Sequence, residues 1–591
     1  MGKEHLGQTH ARFRVAGILG TLILVLAACG SQQAQQSEQL ASDQTLKFPI
    51  LDDFGTLDPG EADAETDQEI QQNVFDGLTK FDLGMKIVPN LAESMPTVSS
   101  DGLTYTFKLR KDVTFSNGDK FSAKDVLYSW NRAAAMQGAY ATNLAAIDGY
   151  PTVAKNTVTG AALEKLLEKN DASVTLSGLT APDGPNGYTV KVKLRVPAGW
   201  FLTAISLSGA TGMIVDQNAV KQDFDNWWTK PETAIGTGPF KMTARVPSQY
   251  VEFEAVPNWW GSPKPTLKKV HLDIIKSPSS AIAKYEQGGY DIYGYGGYSN
   301  APVADVLRVR NTANEKAQLR LQPKVRSYWV SFNMVSDSKR AAKGPFVDQC
   351  PCPSGPAHDL RLAFALAIDK TKLVSIVCQD LLCKPLTGGL IVKGLKGFLG
   401  DNTDPLAKFD PSRAKQLFQS ADPTGTKTKG LVYTYDPENP LNKPVAENLQ
   451  DQWQTNLGVH IEIQAVSHSQ FIKSRLRGGY VLSRDGWQAD YDHPQDWFDN
   501  IYGSVVGCPD AGCTTGYVTK EWDDLATKAD QEPLAQGLAD YKKLSQILIR
   551  DVVYIPEFYT VGAFLIKPYV KGAGSNNFFD YYWNQISILQ H

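Results

Sequence analysis

The chain has 591 residues, 42 % of them apolar and 21 % charged, an ordinary globular composition on a length that exceeds what one hydrophobic core covers, so two or three lobes are expected. Its 59 basic and 63 acidic residues are interspersed and give a formal net charge of −4. That leaves no broad basic surface and argues against nucleic acid as a partner.

Lys3, Arg12 and Arg14 precede an apolar run from Val15 to Leu26, which has the length of a signal-peptide core and is too short to span a bilayer comfortably. Leu26-Ala27-Ala28-Cys29 closes the run and resembles the bacterial lipobox, which implies cleavage after residue 28 and a diacylglyceryl group on the Cys29 thiol. An ordinary secretory signal is the alternative; on either reading the mature chain is exported. Residues 29–44, Ser- and Gln-rich with little apolar beyond Leu40, cannot bury enough surface to fold and are expected to form a flexible tether. No later apolar stretch approaches the length of a membrane span, so lipid on Cys29 is the expected anchor, at the outer face of the bacterial cytoplasmic membrane.

Further along, apolar and polar residues alternate at Tyr105-Phe107-Leu109, which predicts a strand with one wet face. Asn117-Gly118 marks a tight turn. Ser122 with Asp125 three residues on predicts a capped helix through Val126, Leu127 and Trp130. Asn186-Gly187 and the alternation Tyr188, Val190, Val192, Leu194 predict another turn and strand, and Val251 with Phe253 a third strand. Helices are predicted at residues 360–368, 412–418, 446–453 and 541–548, with a strand at Ile461 and Ile463 between the last two. Strands and helices alternate most clearly in the second half, which favours mixed α/β lobes; no solenoid repeat is present.

Six cysteines follow Cys29 in three close pairs, Cys350/Cys352, Cys378/Cys383 and Cys508/Cys513. In an exported chain they predict disulfide-stapled surface loops, with the connectivity left open. None of the pairs has the C-x2-C spacing of a zinc site, and no metal or cofactor is expected. The chain carries no P-loop, G-x-S-x-G or H-E-x-x-H. Ser336-Asp337-Ser338-Lys339 matches S-x-x-K, but K-T-G is missing and Pro345 argues for a loop, so no catalytic residue is assigned.

Three longer segments occur in a telling order: Gly236-Thr237-Gly238-Pro239-Phe240, then Pro257-Asn258-Trp259-Trp260-Gly261, then the run from Asp359 to Lys370 that contains Arg361. With Leu57-Asp58-Pro59, residues 105–110, Phe115-Ser116-Asn117-Gly118 and Trp487-Gln488-Ala489-Asp490-Tyr491, they resemble the family 5 extracellular solute-binding proteins, the oligopeptide- and dipeptide-binding components of ABC importers. The likeness runs from about Thr45 to the C-terminus. It implies a Venus flytrap, two α/β lobes joined by a hinge plus an inserted smaller β-rich lobe. Lobe I is expected at residues 45–82, 203–325 and 563–591, lobe II at 83–202 and lobe III at 326–562, with hinge crossings near Tyr328 and Ala563. It also implies a monomer that binds without turnover and delivers oligopeptides to a permease whose ATPase subunits are separate.

A free peptide is a zwitterion, and burying it requires fixed countercharges. The resemblance makes Asp490, in Trp-x-Ala-Asp, the ammonium partner. It places cations at Arg484, Arg475 and Lys343 for the carboxylate end, as guanidinium forks suit carboxylates. Trp487, Trp329 and Tyr328 are expected as apolar walls. Positions that carry a disulfide in oligopeptide binders look like Arg326 and Gln488 here, and a histidine that meets the peptide C-terminus looks like Asn442. Binders of nickel complexes, haem or oligosaccharides share the fold and form the alternative; an exported cell-wall hydrolase is the other, without support from any residue.

Overall fold

A computed structural model of the protein describes residues 39–207, 209–294, 301–334, 344–347, 353–437, 439–509, 513–574 and 581–591. The expectations at Cys29, at residues 336–339 and at Lys343, Cys350 and Cys352 lie outside the described residues. Among those described, no helix is long and apolar enough to cross a membrane.

Thr45–Ile50 runs parallel to Lys269–Ile274, and Tyr250–Ala255 and Phe240–Val246 extend this sheet antiparallel. The predicted alternation sorts its faces: Val251 and Phe253 are fully buried, while Glu252 between them meets Lys269 and His271 on the other face. A second four-stranded sheet joins Thr97–Val98, Thr104–Lys108, Thr189–Lys193 and Leu179–Thr180, all antiparallel, with Phe107, Val190 and Val192 inward. Gly118, at φ +96°, turns the chain tightly between Thr114 and Lys120. The helix Ala123–Met136 begins as expected, with the Asp125 carboxylate accepting from Ser122 N–H at 2.8 Å.

The second half is built on a seven-stranded mixed sheet. Its order is Ile292–Tyr293, Tyr554–Ile566, Leu319–Phe332, Leu482–Gln488, Val432–Tyr435, Glu462–Ala465, with Cys383–Pro385 also paired to Tyr554–Ile566. The helices Pro356–Leu366, Lys370–Cys378, Pro411–Ala421, Asn442–Leu457 and Leu534–Arg550 bury apolar residues in the same core. Asn442–Leu457 extends the predicted 446–453 in both directions: its buried Val445, Ala446, Leu449, Trp453 and Leu457 continue one helical stripe, and Gly458 in the left-handed region ends it. Cys378–Cys383 and Cys508–Cys513 are disulfide-bonded.

Two large cores result. The first gathers residues from Leu46 to Ile274 and takes in the C-terminal end, where Trp583 packs among Phe48, Phe240 and Phe253. The second is made mainly by residues 325–565. The long strands Leu319–Phe332 and Tyr554–Ile566 link them, Phe564 lying in the first core and Phe558 in the second. Their pairing runs from Leu319 opposite Leu565 to Ser331 opposite Tyr554, with register shifts between Pro323 and Ser327 and between Tyr328 and Trp329.

Most of the recognised motifs hold this fold together. Gly236 and Gly238 lie against the end of the helix Glu65–Val74, where a Cβ on Gly236 would sit 2.0 Å from Val74 O. Thr237 O between them accepts from both Trp259 Nε1 (2.8 Å) and Trp260 Nε1 (2.9 Å), so the two motifs form one unit. Asp58 takes the Arg132 guanidinium and the Trp227 indole N–H in full burial. Arg361, also buried, donates to the carbonyls of Val552, Phe346 and Asp551.

Candidate functional site

Cross-strand register brings the expected site residues together. On the antiparallel pair Leu319–Phe332 and Leu482–Gln488, Arg326 lies opposite Gln488, Tyr328 opposite Gly486 and Val330 opposite Arg484. Arg326 and Gln488, inferred from the sequence to stand where relatives carry a disulfide, are thus direct neighbours. Beyond Gln488 the strand ends, Ala489 N–H bonds to Val325 O at 2.9 Å, and the chain turns so that Asp490 faces a cavity of about 990 Å³. One side of this cavity is lined by Tyr140, Asn143, Arg195 and Trp200, which precede the long linking strands. The other is lined by Tyr328, Arg484, Trp487, Asp490, Asp499 and Asp530.

Asp490 is held by groups from both sides. Its Oδ1 accepts from the Tyr140 hydroxyl at 3.1 Å, and its backbone N–H donates to Asp496 Oδ2 at 2.9 Å. Asp496, on the short helix Gln495–Phe498, is completely buried and also accepts from Trp487 Nε1 at 3.3 Å. Burial pushes the Asp490 carboxyl up to about 7, against the lowering effect of its hydrogen bonds to Tyr140 and Asp496. Burial and then the neighbouring Asp490 charge hold Asp496 well above the usual carboxylate range. The two carboxyls therefore share a proton near neutrality.

A second pair repeats the arrangement. Asp499 is pushed up to about 6 by burial and hydrogen-bonds Asp530; Asp530 is raised by burial and by Asp499, and accepts from Tyr541 OH at 2.6 Å. Asp496 and Asp499 are three residues apart across one helical turn, which sets the two pairs side by side.

On the same side of the cavity as these aspartates stands a cationic cluster that is already matched. Arg484 places Nε on Asp436 Oδ2 at 2.6 Å and Nη2 on the same oxygen, and Arg475 places Nη1 on Asp485 Oδ1. Both guanidiniums flank the buried ring of Phe471. Asn442 is buried behind this cluster and donates to Asp436 O at 2.8 Å, so it holds the residue that holds Arg484. Arg326 lies beside Glu65, which takes Lys324 Nζ at 3.0 Å; Lys324 and Arg326 outweigh burial and keep the Glu65 carboxyl low.

Asp490, Arg484, Arg475, Trp487 and Tyr328 line the cavity. Trp329 is corrected: it is 0 % exposed in the second core, with its indole N–H on Ser331 Oγ at 3.1 Å. Neighbours on a strand point to opposite faces, so when Tyr328 faces the cleft Trp329 faces away. Tyr140, Asp496, Asp499 and Asp530 were not foreseen. The acidic run Asp490, Asp492, Asp496, Asp499 was a legible signal for two of them; nothing in sequence marked Tyr140 or Asp530, which arrive from distant segments. Among the described residues no group of three or more His, Cys, Asp or Glu is arranged to hold a metal.

Residues 86–507 match the model of the bacterial extracellular solute-binding proteins, family 5. The chain belongs to this family. As a family 5 solute-binding protein it is a binder rather than an enzyme, built on the α/β lobed fold that the resemblance implied. It is 25 % identical over 588 residues to the periplasmic oligopeptide-binding protein OppA of Salmonella typhimurium, covering 98 % of each chain. It is also 25 % identical over 559 residues to the periplasmic murein peptide-binding protein MppA of Escherichia coli, covering 91 % of this chain and 92 % of that one. The solved structure of the Escherichia coli murein tripeptide-binding protein MppA superposes with a TM-score of 0.72 at 24 % identity, over 93 % of this chain and 100 % of that one. Relatives named as periplasmic binding proteins support export of this family 5 protein as well.

Proposed function

We propose that this family 5 protein is an extracytoplasmic receptor that captures oligopeptides between two closing lobes and delivers them to an ABC permease, tethered to the membrane by lipid on Cys29. The observation that carries the reading is Asp490: a half-buried carboxyl in a large cavity, contacted by a phenol and a second carboxyl and by no basic side chain among the described residues. A ligand ammonium is the countercharge such a group lacks. Trp487 and Tyr328 supply apolar wall beside it. The names of the relatives, binders of oligopeptides and murein peptides, point to the same ligand class.

Closure around the ligand needs lobes that meet across the cavity. Tyr140 with Asp490, and Gly199 N–H on Asp530 O at 2.8 Å, are contacts of that kind. Lobe boundaries at residues 45–82, 203–325 and 563–591, at 83–202 and at 326–562 are part of this proposal, with the long strands as crossings near Tyr328 and Ala563. The lipid anchor rests on Leu26-Ala27-Ala28-Cys29 and the tether behind it. Isothermal titration with short peptides is expected to show binding that weakens by at least about tenfold when the N-terminus is acetylated or Asp490→Asn is made. Equal affinity in all three cases would remove Asp490 from the site.

A further inference from the structure

The arginine cluster and the aspartate cluster of the cleft differ in what they leave for a ligand to supply. Among the arginines that line the cavity, Arg484 and Arg475 have a carboxylate in place before any ligand arrives. Arg484 has two of its N–H groups on Asp436, which is 2 % exposed, and His468 Nδ1 stands 3.5 Å from the same carboxylate. Arg475 is bound to Asp485, whose other oxygen accepts from the Ser331 hydroxyl at 2.8 Å. Arg326 neighbours Glu65 but shares that carboxylate with Lys324, whose Nζ holds it at 3.0 Å. Arg195, at the exposed rim, donates through Nε and Nη2 to Ala145 O. Matched guanidiniums keep spare N–H donors, but the pairs carry no net charge, and an entering carboxylate meets Asp436 and Asp485 at close range.

The aspartate cluster is in the opposite condition. Asp490 with Asp496, and Asp499 with Asp530, touch one another and neutral donors only; no basic side chain contacts either pair among the described residues. A ligand cation is therefore wanted at the aspartates, whereas a ligand anion finds Arg484 and Arg475 engaged.

We propose that the cleft selects peptides by their amino end alone and accepts a free, amidated or extended carboxyl end without distinction, with Asp436 and Asp485 setting this specificity by occupying Arg484 and Arg475. The proposal rests on the peptide reading above. It departs from a two-ended zwitterion clamp: the arginines act as a neutral, hydrogen-bonding floor. Asp436 and Asp485 are positioning residues here, acting through the arginines they hold.

Calorimetric titration of the full mature protein with one lysine-containing pentapeptide in four forms tests it: both ends free, C-terminally amidated, N-terminally acetylated, and both blocked. Amidation is expected to change Kd by less than about threefold and acetylation to weaken it by more than about tenfold. Asp436→Asn releases Arg484, and this variant is expected to prefer the free acid over the amide by about tenfold or more, a gained dependence that a merely structural role would not produce. Asp485→Asn, which releases Arg475, is the parallel variant should the first lose its cooperative melting. Wild-type protein that loses about tenfold on amidation overturns the proposal while leaving the peptide reading intact, and so does a folded variant that still treats acid and amide alike. Absence of binding by all four forms defeats the peptide reading itself, and this inference with it.

Discussion

At Asp490 and Asp496 two carboxyls meet with no base between them, and the consequence is a proton held near neutrality. The sign of its effect on stability follows from linkage. An unfolded aspartate titrates at about 3.9, whereas Asp490 is pushed up to about 7 and Asp496 is raised as well. Between those values the folded chain binds more protons than the unfolded one, so this pair's contribution is present below about pH 4 and is lost as pH rises through about 7. Buried His493, lowered to about 3 by burial, acts in the opposite sense over part of the same range, so the difference between two proteins is the clean measure. Relative to wild type, ligand-free Asp496→Asn is expected to gain stability as pH rises from about 5 to about 8, read by urea denaturation at each pH. A constant difference across that range would mean that the pair does not share a proton. Asp490 was legible from its motif because Trp-x-Ala-Asp is contiguous. Its partner Tyr140 was not, because 350 positions separate the two residues and only the closed fold joins them.

Among the elements, the recognised motifs divide by role. Leu57-Asp58-Pro59, the two glycines around Thr237, the Trp259-Trp260 pair and the Arg361 helix stabilise backbone and packing. Asp58 shows the energetics: Arg132 outweighs a heavy burial penalty and keeps the Asp58 carboxyl below its ordinary value. Removing one partner leaves the other charged and buried, so Asp58→Ala is expected to cost about 3–5 kcal/mol in urea or thermal denaturation. Since the Asp58 carboxyl is depressed, that contribution is present above about pH 4 and disappears as pH falls through its folded value. A loss below about 1 kcal/mol would assign the pair to specificity rather than stability. Helices and strands with strong periodicity were predictable, but their ends moved. The helix Asn442–Leu457 outgrew the predicted 446–453 because its buried stripe continues to Val445 and Leu457 and the Gly458 cap sets its end. On the strand Leu319–Phe332 alternation separates Tyr328 from Trp329, so the two could not both face the cleft as the sequence reading expected, and burial puts Trp329 in the core.

For the whole molecule, the site exists only where the two halves meet. Tyr491 packs against Phe81 and Ala204 beside Asp490, and Gly199 N–H donates to Asp530 O. If these contacts hold the ligand-free halves together, Tyr140→Phe is expected to raise the radius of gyration of the ligand-free protein in solution scattering, and saturating peptide to reverse the change. No change in the ligand-free variant would place the stability of closure elsewhere.

The amino-acid sequence alone carried the globular class and the α/β lobed family and singled out Asp490 as a candidate, because each of these is written in local pattern or in contiguous motif. Tertiary structure alone decided that the arginines are already bound to Asp436 and Asp485, that Asp490 shares its burial with Asp496 and Tyr140, and that Trp329 belongs to the core. Charge pairing and burial depend on distances between segments far apart along the chain, and no local pattern carries those distances.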